Sequence, residues 1–116
     1  MTTTTTTSYS NFTPSSKARF HRDTARLLRR VATELGLSKG EYDLRSNKGG
    51  VAVLGEVTLH SDTLYLQVGC SFGEPVVLYR SCEGRKDYHG GANRYVPYAR
   101  FVSDLPACIE AFRAVL

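Results

Sequence analysis

TLYLQVGC, residues 63–70, alternates with a period of two. Leu64, Leu66, Val68 and Cys70 point one way, and Tyr65 and Gln67 point the other. Successive side chains of an extended chain face opposite sides, so this is a strand with one apolar face and one wetter face. Working back, Ser61-Asp62 reads as a tight turn. Before it, Val51 to His60 sets Val51, Val53, Val57 and Leu59 against Ala52, Leu54, Glu56, Thr58 and His60. Working forward, Ser71-Phe72-Gly73-Glu74-Pro75 turns the chain again, and Val76 to Cys82 closes a meander. Pairing about Gly73 would put Cys70 opposite Val76 and Cys82 opposite Leu64. Tyr42 to Arg45 is a shorter strand candidate.

Helical spacing flanks the meander. The first helix is expected to open near Pro14-Ser15-Ser16, with a serine as its cap. Phe20, Thr24, Leu27, Leu28, Val31 and Leu35 form one mostly apolar stripe along it. Gly36 followed by Leu37 has the form of a Schellman ending. The last helix opens at Ser103-Asp104 with Pro106 in its first turn, and Leu105, Ile109, Phe112 and Leu116 make its apolar face. The order predicts a two-layer α+β domain: an N-terminal helix, an antiparallel meander of three or four strands, and a C-terminal helix. It occupies residues 14–116 as a single domain. Residues 1–13 are a Thr-rich tail with almost nothing to bury, and the expectation for it is disorder.

Composition bounds the function classes. A chain of 116 residues can bury one core without disulfides or metal. It contains no run of about 18 apolar residues, the minimum for a membrane-spanning helix. The N-terminus lacks the basic and apolar regions of a signal peptide, so the expected address is the cytoplasm. Three cysteines without a C-x-x-C fit a reducing compartment. The net charge is +4, and its placement is uneven. Residues 1–36 hold six basic against two acidic residues, and residues 80–100 hold five against two. Such asymmetry points to an anionic partner.

The first basic segment is a helical stripe. Arg19, Arg22, Arg26, Arg29 and Arg30 fall on one face, opposite the apolar residues. The bland alternative is a solvated face whose arginine stems cover apolar surface. The second segment, residues 81–101, interleaves Arg85, Lys86, Arg94 and Arg100 with Tyr88, Tyr95, Tyr98 and Phe101 around Gly90-Gly91. Arginine meets phosphate and tyrosine stacks on unpaired bases, so the pattern suits nucleic acid. It suits a nucleotide held at Gly90-Gly91 equally, and a protein partner. At least two of the four aromatics are expected in the core. Arg85, Lys86, Tyr88, His89 and Asn93 flank the glycine turn and are expected at the surface. The two basic segments together are expected to form one positive, aromatic-bearing face.

Several chemistries fail on spacing. Asn47-Lys48-Gly49-Gly50 puts its lysine before the glycines and precedes a strand, so it is a turn and not a phosphate loop. Cys70, Cys82, His60 and His89 lack the paired spacing of a zinc site, so no metal and no cofactor are expected. His60-Ser61-Asp62 are sequence neighbours at a turn and point to different faces, unlike a catalytic triad. Cys82 with His89 is a conceivable nucleophile pair, but a small buried cysteine is the commoner fate. No enzyme is expected.

The helix–sheet–helix order is similar to a double-stranded-RNA-binding domain. That family opens its second helix with lysines, where this chain reads Ser103-Asp104-Leu105-Pro106-Ala107-Cys108. A different resemblance covers roughly residues 42–95. Arg45-Ser46-Asn47-Lys48-Gly49-Gly50 through Gly55-Glu56-Val57-Thr58-Leu59-His60, and Gly84-Arg85-Lys86-Asp87-Tyr88 through Gly90-Gly91, resemble small uncharacterised proteins of bacteriophages and other mobile elements. The resemblance implies a phage or plasmid context and no known activity. The expected function is non-enzymatic binding of nucleic acid through the basic helix and the Tyr/Arg-rich loop. The alternatives are an inhibitor or accessory factor bound to a host protein, and a small nucleotide ligand. No membrane partner is expected.

Overall fold

The computed structural model describes residues 13–50, 53–71, 74–88 and 91–116. The elements are α1 (Pro14–Glu34), β1 (Tyr42–Asn47), β2 (Glu56–Ser61), β3 (Leu64–Ser71), β4 (Glu74–Ser81), β5 (Arg94–Pro97), α2 (Tyr98–Ser103) and α3 (Leu105–Arg113). The five strands form one antiparallel sheet in sequence order, β1-β2-β3-β4-β5. This is the α+β architecture expected from the sequence. The fifth strand, Arg94–Pro97, and the short α2 are additions to the three or four strands and two helices expected.

Alternation along β3 sets the two faces. Leu66 lies opposite Leu59 on one side and Tyr79 on the other, and Val68 lies between Val57 and Val77. These rows are buried together with Phe20, Leu28 and Val31 of α1, Phe101 of α2, and Leu105, Ile109 and Phe112 of α3. All three helices therefore cover the same face. Thr24 Oγ1 and Tyr98 OH, 2.9 Å apart, join α1 to α2 inside this layer. The opposite face carries Asp43, Arg45, Thr58, His60, Tyr65, Gln67 and Arg80 and has no helix on it. A slip of one residue would exchange the faces, and each buried Leu or Val resists that by about 1.5–3 kcal/mol.

Local details depart from the sequence pattern in ways the geometry explains. The cap of α1 is Thr13, not a serine. Its Oγ1 accepts the Ser16 N–H at 3.1 Å, and its own N–H donates to Ser16 Oγ at 2.8 Å. Pro14 then fills the first helical position, where no N–H is needed. The Schellman ending forms as expected, with Gly36 N–H to Thr33 O and Leu37 N–H to Ala32 O. The second strand begins only at Glu56. Val51 and Ala52 lie outside the described residues, Val53 is exposed, and Leu54 is buried in its place. Gly55 breaks the alternation: its φ is 82°, and a Cβ there would collide with the backbone of Asn47 and Lys48. His21 fixes the same stretch, donating from Nε2 to Leu54 O at 2.8 Å while Nδ1 meets Ser46 Oγ at 3.2 Å.

The β3–β4 register differs by one residue from pairing about Gly73. Cys70 lies opposite Pro75 and Leu64 opposite Ser81, because Ser71 pairs with Glu74. The tail of residues 1–12 and the turn residues Phe72 and Gly73 lie outside the described residues. Leu116 falls past the end of α3 and is exposed, so it adds nothing to the apolar face.

Candidate functional site

The arginine stripe stands as the spacing predicts. Arg19, Arg22, Arg26, Arg29 and Arg30 are all exposed, on the side of α1 turned from the buried Phe20, Thr24, Leu28 and Val31. Asp23 sits 3.2 Å from Arg22 and 3.9 Å from Arg26. Among the described residues Arg19, Arg29 and Arg30 make no ion pair. Exposed pairs such as those of Asp23 contribute at most about 1 kcal/mol, so they leave the guanidinium groups available.

The loop between β4 and β5 does not join that stripe. It crosses the helix-free face. Tyr88 packs against His60 and Tyr65, with centroids 5.2 and 6.3 Å away. Both partners point from the sheet opposite to Leu59 and Leu66, which face α1. The α1 arginines and the loop residues Arg85 and Tyr88 thus occupy opposite faces, while Arg94, opposite Tyr79, and Arg100 of α2 lie on the helix side; the two basic segments do not form one shared surface. The cause is topological: α1 takes one side of the sheet, and the chain leaving Ser81 turns onto the other.

The loop residues have separate fates. Arg85 is an anchor, 29% exposed, reaching Asp43 at 3.5 Å, Asp62 at 3.4 Å and the Gly40 carbonyl. Asn93 accepts from Arg80 at 3.3 Å. Lys86 and Arg94 are exposed, and Tyr88 is 50% exposed. His89 and Gly90 lie outside the described residues. Gly91 has φ 62°, and a Cβ there would stand 2.8 Å from Ser81 Oγ and 2.9 Å from Ser81 O. The close approach of loop to strand therefore accounts for this glycine without a ligand. Of the four aromatics, Tyr98 and Phe101 are buried, as expected.

Sequence reasoning missed the row beneath the loop. Asp43, His60, Tyr65 and Arg80 are consecutive partners across β1 to β4. Arg80 is 7% exposed, with its guanidinium 4.4 Å from the Tyr65 ring centre and its Nε without a hydrogen bond. His60 is fully buried. Its Nε2 donates to Gly84 O at 3.0 Å, and Nδ1 has no partner. Burial holds the imidazole below its usual range, Arg45 and Arg80 push the same way, and the Gly84 bond opposes them. Burial pushes the Tyr65 phenol up. It donates to Gln67 Oε1 at 2.8 Å. Finding this row requires the register as well as the alternation, since its members are far apart in sequence.

The groups with catalytic potential are committed to the fold. Ser61 Oγ accepts from the N–H groups of Leu64 at 2.9 Å and Thr63 at 3.2 Å. Asp62 pairs with Arg85. Cys82 Sγ donates to Ser61 O at 3.3 Å, and burial pushes the thiols of Cys82 and Cys108 up, while Cys70 at the end of β3 is exposed. Among the described residues no three His, Cys, Asp or Glu side chains gather as a metal site, and no helix is long and apolar enough to cross a membrane. No protein-family model, curated protein or solved structure matches the chain.

Proposed function

We propose that this chain is a small non-enzymatic nucleic-acid-binding protein that acts in the cytoplasm and holds phosphates on the arginine face of α1. The observation that carries this reading is the set of five exposed arginines with one carboxylate, Asp23, among them. From Arg19 to Arg30 the face runs about 17 Å at ~1.5 Å per residue. Double-stranded DNA carries a charge about every 1.7 Å of axis, so several phosphates fall within that length. Like charges on one face repel slightly, and an anionic partner relieves the repulsion. The resemblance of residues 42–95 to small phage and mobile-element proteins is in keeping with such a partner.

Fluorescence anisotropy with labelled single- and double-stranded DNA and RNA tests the reading. Four phosphate contacts predict an affinity loss of about a hundredfold between roughly 50 and 200 mM salt. An absence of binding at the lower salt contradicts it.

A second reading rests on Tyr88. Its ring is half exposed while its inner edge is held by His60 and Tyr65. A prefixed exposed aromatic is a good anchor for a protein partner, as an inhibitor or accessory factor of host machinery would need. This reading predicts salt-tolerant binding that is lost in Tyr88→Ala.

A further inference from the structure

The helix-free face holds an open groove of about 570 Å3. Tyr65 and Tyr88 line one part of it, and Arg45, Asn47, Glu56 and Thr58 line the rest. Register creates it. Arg45 lies opposite Thr58 and Asn47 opposite Glu56, which brings these four side chains to one end of β1 and β2, beside Tyr65 of β3.

The unused hydrogen-bonding capacity here is specific. Among the described residues, the Glu56 carboxylate joins no ion pair and accepts no hydrogen bond. A carboxylate can only accept, so its complement is a group with N–H donors. Asn47 Oδ1 already accepts from Gly49 N–H at 3.1 Å, which leaves its amide N–H groups to donate. Thr58 is buried, and its hydroxyl makes no side-chain bond. Two guanidinium groups border the groove, Arg45 in its lining, 3.6 Å from Asp43, and Arg80 on the Tyr65 ring, and both favour an occupant that is not itself a cation. A neutral planar heterocycle with adjacent N–H donors and an attached anion fits these groups.

Buried polar groups lie behind the tyrosines, outside the groove lining itself. Beside the tyrosine wall the fold buries two nitrogens with no partner, His60 Nδ1 and Arg80 Nε. The Arg80 charge makes the Tyr65 wall electropositive, which suits an electron-rich base and a phosphate-bearing strand.

We infer that the groove takes a guanine-type base of a single strand. The ring lies against Tyr88, the N1–H and 2-amino groups donate to Glu56, and the adjoining phosphate meets Arg45. Arg29, Lys39 and Tyr42 line a separate groove of about 440 Å3 at the β1 edge, on the helix side of the sheet. The inference rests on the nucleic-acid reading for its ligand, but its chemistry does not depend on the α1 arginines.

The test uses short labelled oligo-thymidine strands carrying no purine, one central guanine, or one central hypoxanthine, which lacks the 2-amino group. The guanine strand is expected to bind about tenfold more tightly than the plain strand, the discrimination typical of a bidentate base contact. Hypoxanthine is expected to lose most of that gain without any mutation of the protein. Glu56→Gln is expected to remove it too, and Arg26→Glu to weaken all three strands alike. Equal binding of the three strands, with Arg26→Glu still weakening them, overturns the groove and leaves the arginine face standing. No binding of any strand overturns both. Guanosine monophosphate competing at concentrations near those of the strand overturns the strand as the ligand's source.

Discussion

His60 lies beneath Tyr88, with the ring centroids 5.2 Å apart and the planes at 70°. The contact closes the imidazole off from water while leaving Tyr88 half exposed. The charged and titratable groups around it are Asp43 and Arg45 from β1, Tyr65 from β3, Arg80 from β4 and Tyr88 from the loop. Burial is the main reason the ring binds a proton less readily than in the unfolded chain, where its pKa is 6.5. The unfolded state therefore takes up more protons below pH 6.5. The stabilisation is complete above that value and is lost as the pH falls toward the folded pKa. Urea unfolding at about pH 7 and about pH 5 is expected to show a lower midpoint in acid, and His60→Gln is expected to flatten that difference. An equal fall in wild type and variant rules His60 out as its source.

Arg85 ties three parts of the chain together: Asp43 on β1, Asp62 in the β2–β3 turn and the Gly40 carbonyl. Arg85→Ala is expected to lower stability by about 1–2 kcal/mol, since one charge-assisted bond and two partly exposed pairs are lost. Hydrogen exchange is expected to speed up first at the Glu83 amide, which donates to Asp87 within the same loop. A loss of nucleic-acid affinity with no change in stability or exchange would make Arg85 a ligand contact.

Thr24 and Tyr98 share a buried hydrogen bond across the α1–α2 contact. Tyr98→Phe is expected to cost about 1–2 kcal/mol, because the Thr24 hydroxyl is left buried without that partner. Thr24→Val together with Tyr98→Phe is expected to recover part of the loss, since both polar ends are then gone. Denaturant melts of the two single variants and the double variant measure the coupling; strictly additive losses would contradict it.

The sheet was legible because alternation in β3 is unbroken and names both faces. β5 was not, since Arg94–Pro97 is four residues long and no pattern of that length separates a strand from an extended loop. Val53 and Leu54 take the sides opposite to the alternation because Gly55 enters a left-handed conformation between them and β2. The arginine stripe was readable from spacing alone, as helical faces follow from local geometry. Its relation to residues 81–101 was not, because a loop's choice of sheet face depends on contacts such as Tyr88 with His60. The groove lay beyond the sequence for the same reason: Glu56 and Tyr65 come together only through register, and Tyr88 joins them through its contacts with His60 and Tyr65.

The most direct measurement is the slope of log affinity against log salt for wild type, Arg26→Gln, Arg29→Gln and the double variant. If α1 holds phosphates, the wild-type slope is steep, and each substitution reduces its magnitude by about one. Slopes that are shallow in wild type, or steep but unchanged in all three variants, contradict the arginine face as the binding surface.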